Sequence, residues 1–284
     1  MTRPSAALLV LSVAGCDQVF DLQRPDAPPL ACEDLTSHDE DTDGVVDGCD
    51  NCPGIANSDQ KNVRETDDGA VADAVGDACD PRPRLGGDVI ERFHSFAEPA
   101  AMDDWDVVTG PWRIDGEAMT FDGPEVTDQA YVVSTAPMIQ LPATIEAHVT
   151  IRTIKGGAWA IFGVIANADD DGDGSACLVY RPYETPVLKD MLKVFHSDGQ
   201  ADSPLARMMA NGDGYRLTFS VESDEMSCNS LEDGGARQGV PADPDDPLRT
   251  GTLGLLGQQI DAVVDYVVVY SISSAAARRS RSAP

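Results

Sequence analysis

An alternation of aspartates near the N-terminus carries the most legible chemistry in this sequence. Residues 39–50 fit the pattern D-x-D-x-D-G-x-x-D-x-x-D, in which Gly44 permits a sharp backbone turn. Calcium takes about six to eight oxygen ligands, and alternate carboxylates in a tight loop converge on one point. We therefore predict a Ca2+ site whose ligands are the carboxylates of Asp39, Asp41, Asp43 and Asp50, the backbone carbonyl of Val45, and Asp47 either directly or through water.

Two other interpretations of this loop are less favoured. An acidic linker would show carboxylates without a fixed period or a correctly placed glycine. A helix-flanked EF-hand would have glutamate at the twelfth position, where this chain has Asp50, and an amphipathic helix would follow. A smaller alternation at residues 169–174 has Tyr180 at its twelfth position, so a solvated loop is favoured there over a further cation site.

The residues after the loop resemble a thrombospondin type 3 repeat. The resemblance covers residues 39–80 and rests on Asp50-Asn51-Cys52-Pro53, on Asn57 and Gln60, and on Gly76-Asp77-Ala78-Cys79-Asp80. In that family aspartates wrap calcium ions and disulfides staple the loops. The resemblance therefore implies a disulfide between Cys52 and Cys79 and, by elimination, one between Cys32 and Cys49.

The second half of this segment departs from the family pattern. Residues 61–65 interrupt what should be another aspartate ladder, which leaves Asp67, Asp73 and Asp77 as candidates for a second site. Alternatively, Asp77 and Asp80 complete the surroundings of the first. Residues 32–80 have almost no apolar spacing, so we expect this module to depend on metal and disulfides for its fold.

The N-terminus has the organisation of an export signal. Residues 1–15 combine Arg3 with a short apolar run and small residues, which predicts a signal peptide. Val13-Ala14-Gly15-Cys16 resembles the lipobox of bacterial lipoproteins, which implies acylation of Cys16 and a membrane-anchored protein of the cell envelope, at the outer membrane or cell surface. Residues 16–31 then form a tether. In the alternative, an ordinary signal peptide is removed and Cys16 is a spare thiol.

Residues 87–273 change to an alternation of apolar and polar residues. Residues 144–154 and 215–222 each place every second side chain on one apolar face, as half-buried strands do. Residues 158–166 suit a central strand, and residues 262–270 are rich in β-branched and aromatic residues. We predict an all-β antiparallel sandwich, or jelly roll, with a disulfide between Cys177 and Cys228, followed by a tail at residues 274–284.

The sandwich resembles the concanavalin A-like and laminin G-like domains of bacterial surface proteins. The resemblance rests on Trp105 and Trp112 around residues 107–111 and on residues 251–255 before the last strand. It implies a glycan-binding, protein-binding or adhesion module, or alternatively a polysaccharide hydrolase. The E-x-D-x-x-E strand of such hydrolases is absent from the sequence, so no catalytic residue is predicted and binding is favoured. Trp105, Trp112 and Trp159 could stack on sugars, although core positions are commoner for tryptophan.

The charge of the chain restricts its partners. The formal net charge is −29, from 49 acidic and 20 basic residues. Such a chain repels phosphate backbones and anionic headgroups, which argues against nucleic acid and against electrostatic membrane binding. Divalent cations are its natural counter-ions.

Overall fold

The computed structural model describes most of the chain beyond its N-terminus. It covers residues 38–67, 69–123, 129–155, 159–168, 174–182, 189–196, 199–222, 224–235, 237–243 and 251–272. The predictions for the signal peptide, the tether, Cys16 and Cys32 lie outside these residues. So do those for residues 169–173 and for the C-terminal tail.

The described residues form fifteen strands, one short α-helix and two 3-10 turns. The strands are β1 (Asp88–His94), β2 (Trp105–Val107), β3 (Trp112–Ile114), β4 (Met119–Asp122), β5 (Ala130–Ser134), β6 (Ala143–Ile154), β7 (Ile161–Ala168), β8 (Ser175–Tyr180), β9 (Met191–His196), β10 (Gly199–Pro204), β11 (Gly214–Val221), β12 (Met226–Glu232), β13 (Arg237–Ala242), β14 (Thr252–Gln258) and β15 (Ile260–Ile272). Helix α1 is Arg64–Asp67, and the 3-10 turns are Asp47–Cys49 and Pro99–Asp104.

The strands form two antiparallel sheets packed face to face. Sheet A has the order β13-β12-β11-β6-β15-β4-β3, with β1 also paired to β15. Sheet B has the order β10-β9-β8-β7-β14-β5-β2. This architecture confirms the predicted all-β sandwich.

Alternation along the central strands fills the space between the sheets. In β6 the side chains of Ile145, Ala147, Val149 and Ile151 are fully buried, while His148 and Arg152 lie on the other face. Strand β11 repeats this arrangement opposite β6 in regular register. The period of two read from the sequence is therefore the period of the core.

A disulfide joins the two sheets through this core. Cys177 of β8 in sheet B is bonded to Cys228 of β12 in sheet A, and both side chains are fully buried. This pair was predicted and is confirmed. It links the two sheets covalently at a buried position in the core.

The N-terminal module, residues 38–87, packs on the outer face of sheet A. Its predicted disulfide, Cys52–Cys79, is present and contacts Tyr266 and Tyr270 of β15. Gly54 lies against the ring of Tyr266 so closely that a Cβ there would be 2.5 Å from the ring carbon Cζ. The apolar side chains of the module thus form one small core together with residues on the outer face of β15.

Candidate functional site

The predicted aspartate loop brings three carboxylates together. One oxygen from each of Asp39, Asp41 and Asp43 lies within 4.8 Å of the other two, and we term these residues the first acidic cluster. Gly44 has a positive φ of 96°, as the predicted turn requires. The backbone N–H of Gly44 donates to Asp39 Oδ2 at 2.9 Å, and that of Asp43 donates to Asp39 Oδ1 at 3.2 Å. Backbone N–H groups of the loop are thus bound by a carboxylate of the same loop.

Electrostatics in the first acidic cluster favour an added positive charge. Asp41 Oδ2 is buried and has no hydrogen-bond partner among the described residues. Burial raises the pKa of Asp41 to about 6, and the charges of Asp50, Asp43 and Asp39 act in the same direction. Burial likewise raises the pKa of Asp50, which lies near the cluster. A hard cation would relieve the crowding of these carboxylates.

Asp47 has a different environment from the other predicted ligands. Its Oδ1 accepts the backbone N–H of Glu40 at 2.8 Å, and its Oδ2 lies 2.7 Å from Nδ1 of His38. Burial lowers the pKa of His38, but the hydrogen bond and charge of Asp47 outweigh that effect and raise it overall. Asp47 therefore connects the end of the loop to His38 and Glu40 at its start. Its role as a ligand, like that of the Val45 carbonyl, stays a prediction.

Amide side chains connect the loop to the disulfide. Gln60 Nε2 donates to Asp50 Oδ1 at 2.7 Å, and Gln60 Oε1 accepts the backbone N–H of Asn51 at 2.9 Å. Asp50 Oδ1 also accepts the N–H of Cys52 at 2.7 Å. Asp50 thus links the aspartate loop to the disulfide-bonded part of the module. Cys49 has no disulfide partner within the described residues, and its implied partner, Cys32, lies outside them.

A second acidic cluster is formed by residues other than the predicted set. One carboxylate oxygen from each of Glu65, Asp73 and Asp80 lies within 4.8 Å of the other two. Of the three sequence candidates, only Asp73 belongs to it. Asp67 is exposed, and Asp77 Oδ1 accepts the N–H groups of two residues at the start of α1, Val63 at 2.9 Å and Arg64 at 3.1 Å.

Glu65 is the most unusual group of the second acidic cluster. Its side chain is fully buried, and both carboxylate oxygens lack a hydrogen-bond partner among the described residues. Asp80 Oδ2 is orphaned in the same way. Burial, reinforced by the contact with Glu65, raises the pKa of Asp80. A buried carboxylate without a partner is costly, so this arrangement needs a proton or a cation.

A groove on the outer face of sheet B presents aromatic side chains. Its volume is about 250 Å³, and we term it the aromatic groove. It is lined by Gln129, Tyr131, Trp159, Ile161, Ile165, Gly174, Ala176, Leu178, Tyr180, Lys193, Phe195 and Leu256. Trp159 and Phe195 are 44% and 40% exposed. Nζ of Lys193 lies 5.6 Å from the ring centroids of both Tyr180 and Phe195.

The three tryptophans divide between the core and this groove. Trp105 and Trp112 are buried between the sheets, whereas Trp159 lies at the aromatic groove. The described residues that line the groove include no carboxylate. The groove can therefore stack flat apolar rings and offer a few polar contacts.

Comparison with known proteins gives structural likenesses and no sequence family. No family model and no curated protein matches the chain. Peanut lectin with a 9mer peptide is 14% identical, with a TM-score of 0.49 over 64% of this chain and 97% of the lectin. The Ca2+/Man2-bound exoplasmic/lumenal domain of VIP36 is 12% identical, with a TM-score of 0.49 over 66% and 88% of the two chains. A carbohydrate-binding module from Bacillus subtilis is 18% identical, with a TM-score of 0.42 over 59% and 96%.

Within the part of the chain that the structure describes, no helix has the length and apolar character to cross a bilayer.

Proposed function

We propose that this protein is a calcium-binding lipoprotein of the cell envelope whose sandwich binds glycans through the aromatic groove. The observation that carries the calcium assignment is the fully buried carboxylate of Glu65, which lies beside Asp73 and Asp80 and accepts no hydrogen bond from the residues that the structure describes. The first acidic cluster supplies a second site with the same chemistry. We assign one ion to each cluster.

Calcium suits both acidic clusters better than other common cations. Each cluster offers carboxylate oxygens only, which excludes the softer ligand sets that zinc and copper prefer. Calcium also tolerates irregular geometry and accepts water and backbone carbonyls, whereas magnesium demands a near-ideal octahedron. In a chain of net charge −29, a divalent ion also relieves general repulsion.

Glycan binding is supported by the composition of the aromatic groove. Sugar rings present flat C–H faces that stack on aromatic side chains, and Trp159 and Phe195 supply such faces at the surface. Gln129 and Lys193 add polar groups that can hydrogen-bond sugar hydroxyls. A small number of polar groups on an apolar platform is the composition that a neutral saccharide requires.

Binding is favoured over hydrolysis for the same groove. A retaining glycosidase needs two carboxyl groups about 5 to 5.5 Å apart, and an inverting one about 6.5 to 9.5 Å apart. The described residues of the aromatic groove supply neither pair. We therefore propose a surface binding or adhesion role rather than polysaccharide cleavage.

Envelope anchoring rests on the sequence alone. The apolar run of residues 6–13 and the small residues before Cys16 support export and acylation, and the thrombospondin-like motif supports an extracellular, calcium-rich setting. Intact-mass measurement of protein purified from membranes tests this part. A mature chain that starts at an acylated Cys16 is expected, and an unmodified N-terminus would contradict it.

A glycan array tests the binding role. Calcium-loaded protein, lacking only the signal peptide, should bind a subset of glycans, and Trp159→Ala should lose that binding. Leu85→Ala is the matched control, since Leu85 is 58% exposed and lies outside the groove. Equal array signals for the two variants would rule out the aromatic groove as the binding site.

A further inference from the structure

A polar cleft separates the N-terminal module from part of sheet A. Its volume is about 560 Å³, and we term it the interface cleft. The outward faces of β6, β11, β12 and β13 form its floor, and residues 77–81 with Arg64 form the opposing wall. The cleft lies on the opposite sheet from the aromatic groove, so the two sites are independent.

The floor of the interface cleft is built from short polar side chains in register. Ser220 of β11 lies opposite Thr144 of β6 on one side and opposite Ser227 of β12 on the other. Thr218 lies opposite Asn229 in the same way. Alternation places all five on the outward face, because their neighbours in each strand fill the core. Four hydroxyls and an amide thus form a neutral hydrogen-bonding surface.

Arginines concentrate in this cleft although the chain is strongly acidic. Arg64, Arg216 and Arg237 all line it. Arg216 Nε, on the floor, lies 3.4 Å from Glu146 Oε1, so its charge is paired. Arg64 and Arg237 are exposed and form no ion pair with any described residue. Two guanidinium groups are therefore available to a ligand.

The carboxylates that share the cleft are already engaged. Glu146 Oε1 accepts the hydroxyl of Tyr266 at 3.0 Å, and Glu146 Oε2 accepts that of Thr218 at 3.4 Å. Asp77 accepts backbone N–H groups at the start of α1. Asp80 belongs to the second acidic cluster. Hydrogen bonds thus engage Glu146 and Asp77, and the charge of Arg237 also acts on Glu146.

We propose that the interface cleft binds a saccharide bearing a carboxylate group. Arg237 and Arg64 hold the carboxylate, and the hydroxyl and amide floor holds the ring hydroxyls. Guanidinium groups match carboxylates in geometry and charge, whereas a neutral sugar offers no charge to either arginine. This site is distinct from the aromatic groove, which suits neutral rings.

Calorimetry with a matched pair of sugars tests the proposal. The probes are trigalacturonate and its fully methyl-esterified form, which keeps the rings and loses the charges. The protein is the full chain without its signal peptide, loaded with calcium and freed of excess ion. We expect measurable binding of trigalacturonate, weakened by salt, and at least about tenfold weaker binding of the ester.

Variants separate this site from the aromatic groove. Arg237→Gln should weaken trigalacturonate binding about tenfold, and Arg64→Gln combined with it should abolish binding. Arg152→Gln is the control, since Arg152 is an exposed arginine of β6 outside the cleft. Trp159→Ala should leave the affinity unchanged. Equal binding of acid and ester, or equal affinities for the Arg237 and Arg152 variants, would overturn the proposal.

Discussion

Gly54 of the N-terminal module lies flat against the ring of Tyr266 in β15, with no space for a side chain between them. The hydroxyl of the same tyrosine donates to Glu146 on the neighbouring strand. The ring of Tyr266 therefore packs against the module, while its hydroxyl hydrogen-bonds Glu146 of sheet A. Tyr266 thus contacts the module and the neighbouring strand of sheet A at the same time.

Gly54→Ala should loosen this contact. The added methyl group would overlap the buried ring of Tyr266, so either the module or the tyrosine must shift. We expect the free energy of unfolding to fall by about 1 to 3 kcal/mol. Thermal unfolding of the calcium-loaded protein measures it. Combining Gly54→Ala with Tyr266→Leu should recover part of the loss. Strictly additive effects would show that the two residues are not coupled.

Glu65→Gln should have opposite effects with and without calcium. In chelator the variant should be more stable than the parent, because a neutral amide replaces a buried charge beside Asp80. In calcium it should bind one ion fewer by calorimetry and gain less stability from the metal, since ligand stabilisation follows occupancy. Asp67→Asn is the matched control on the same helix. An unchanged ion count for Glu65→Gln would refute the ion proposed at the second acidic cluster.

His148 should make stability depend on pH near neutrality. Burial lowers its pKa, but Asp265 at 2.6 Å from Nδ1 and Asp233 at 3.2 Å from Nε2 outweigh that effect and raise it above 6.5. The folded state then holds the proton more tightly, so this stabilisation is complete below pH 6.5 and is lost as pH rises through the raised pKa. Melting temperatures of the parent between about pH 6 and 8 should fall more steeply than those of His148→Gln. Parallel curves would contradict this.

The disulfide between the sheets should dominate the stability of the sandwich. It closes a separation of 51 residues, for which the chain-entropy model gives about 4 kcal/mol. Replacing Cys177 and Cys228 together by alanine should lower the free energy of unfolding by about this amount in denaturant titrations. Because both sulfurs are buried, reductant alone should leave the native parent oxidised. Rapid reduction without denaturant would argue against the sealed position.

Local patterns made much of the fold predictable. The period of two in residues 144–154 depends only on neighbouring side chains, and β6 occupies residues 143–154 as expected. The first acidic cluster could be predicted for the same reason, because its carboxylates alternate along one short loop next to Gly44. The disulfides Cys52–Cys79 and Cys177–Cys228 followed from a family resemblance and from a shared domain, respectively.

Features that depend on packing could not be read from the sequence. Glu65 lies in the segment that interrupts the aspartate pattern, and the folded module buries its side chain beside Asp73 and Asp80. Asp47 has the spacing of a ligand, and its contact with His38 could not be predicted from that spacing. The interface cleft is lined by segments that are distant along the chain, and a local sequence pattern cannot predict that they lie together.

The disulfide of the N-terminal module has a consequence for how the chain matures. Cys52 and Cys79 cover the outward face of β15, where Val268 and Tyr270 are buried beneath them. Before the two thiols are oxidised and the module has folded, this apolar surface of β15 is exposed to other chains. Self-association through that surface therefore competes with folding during this interval.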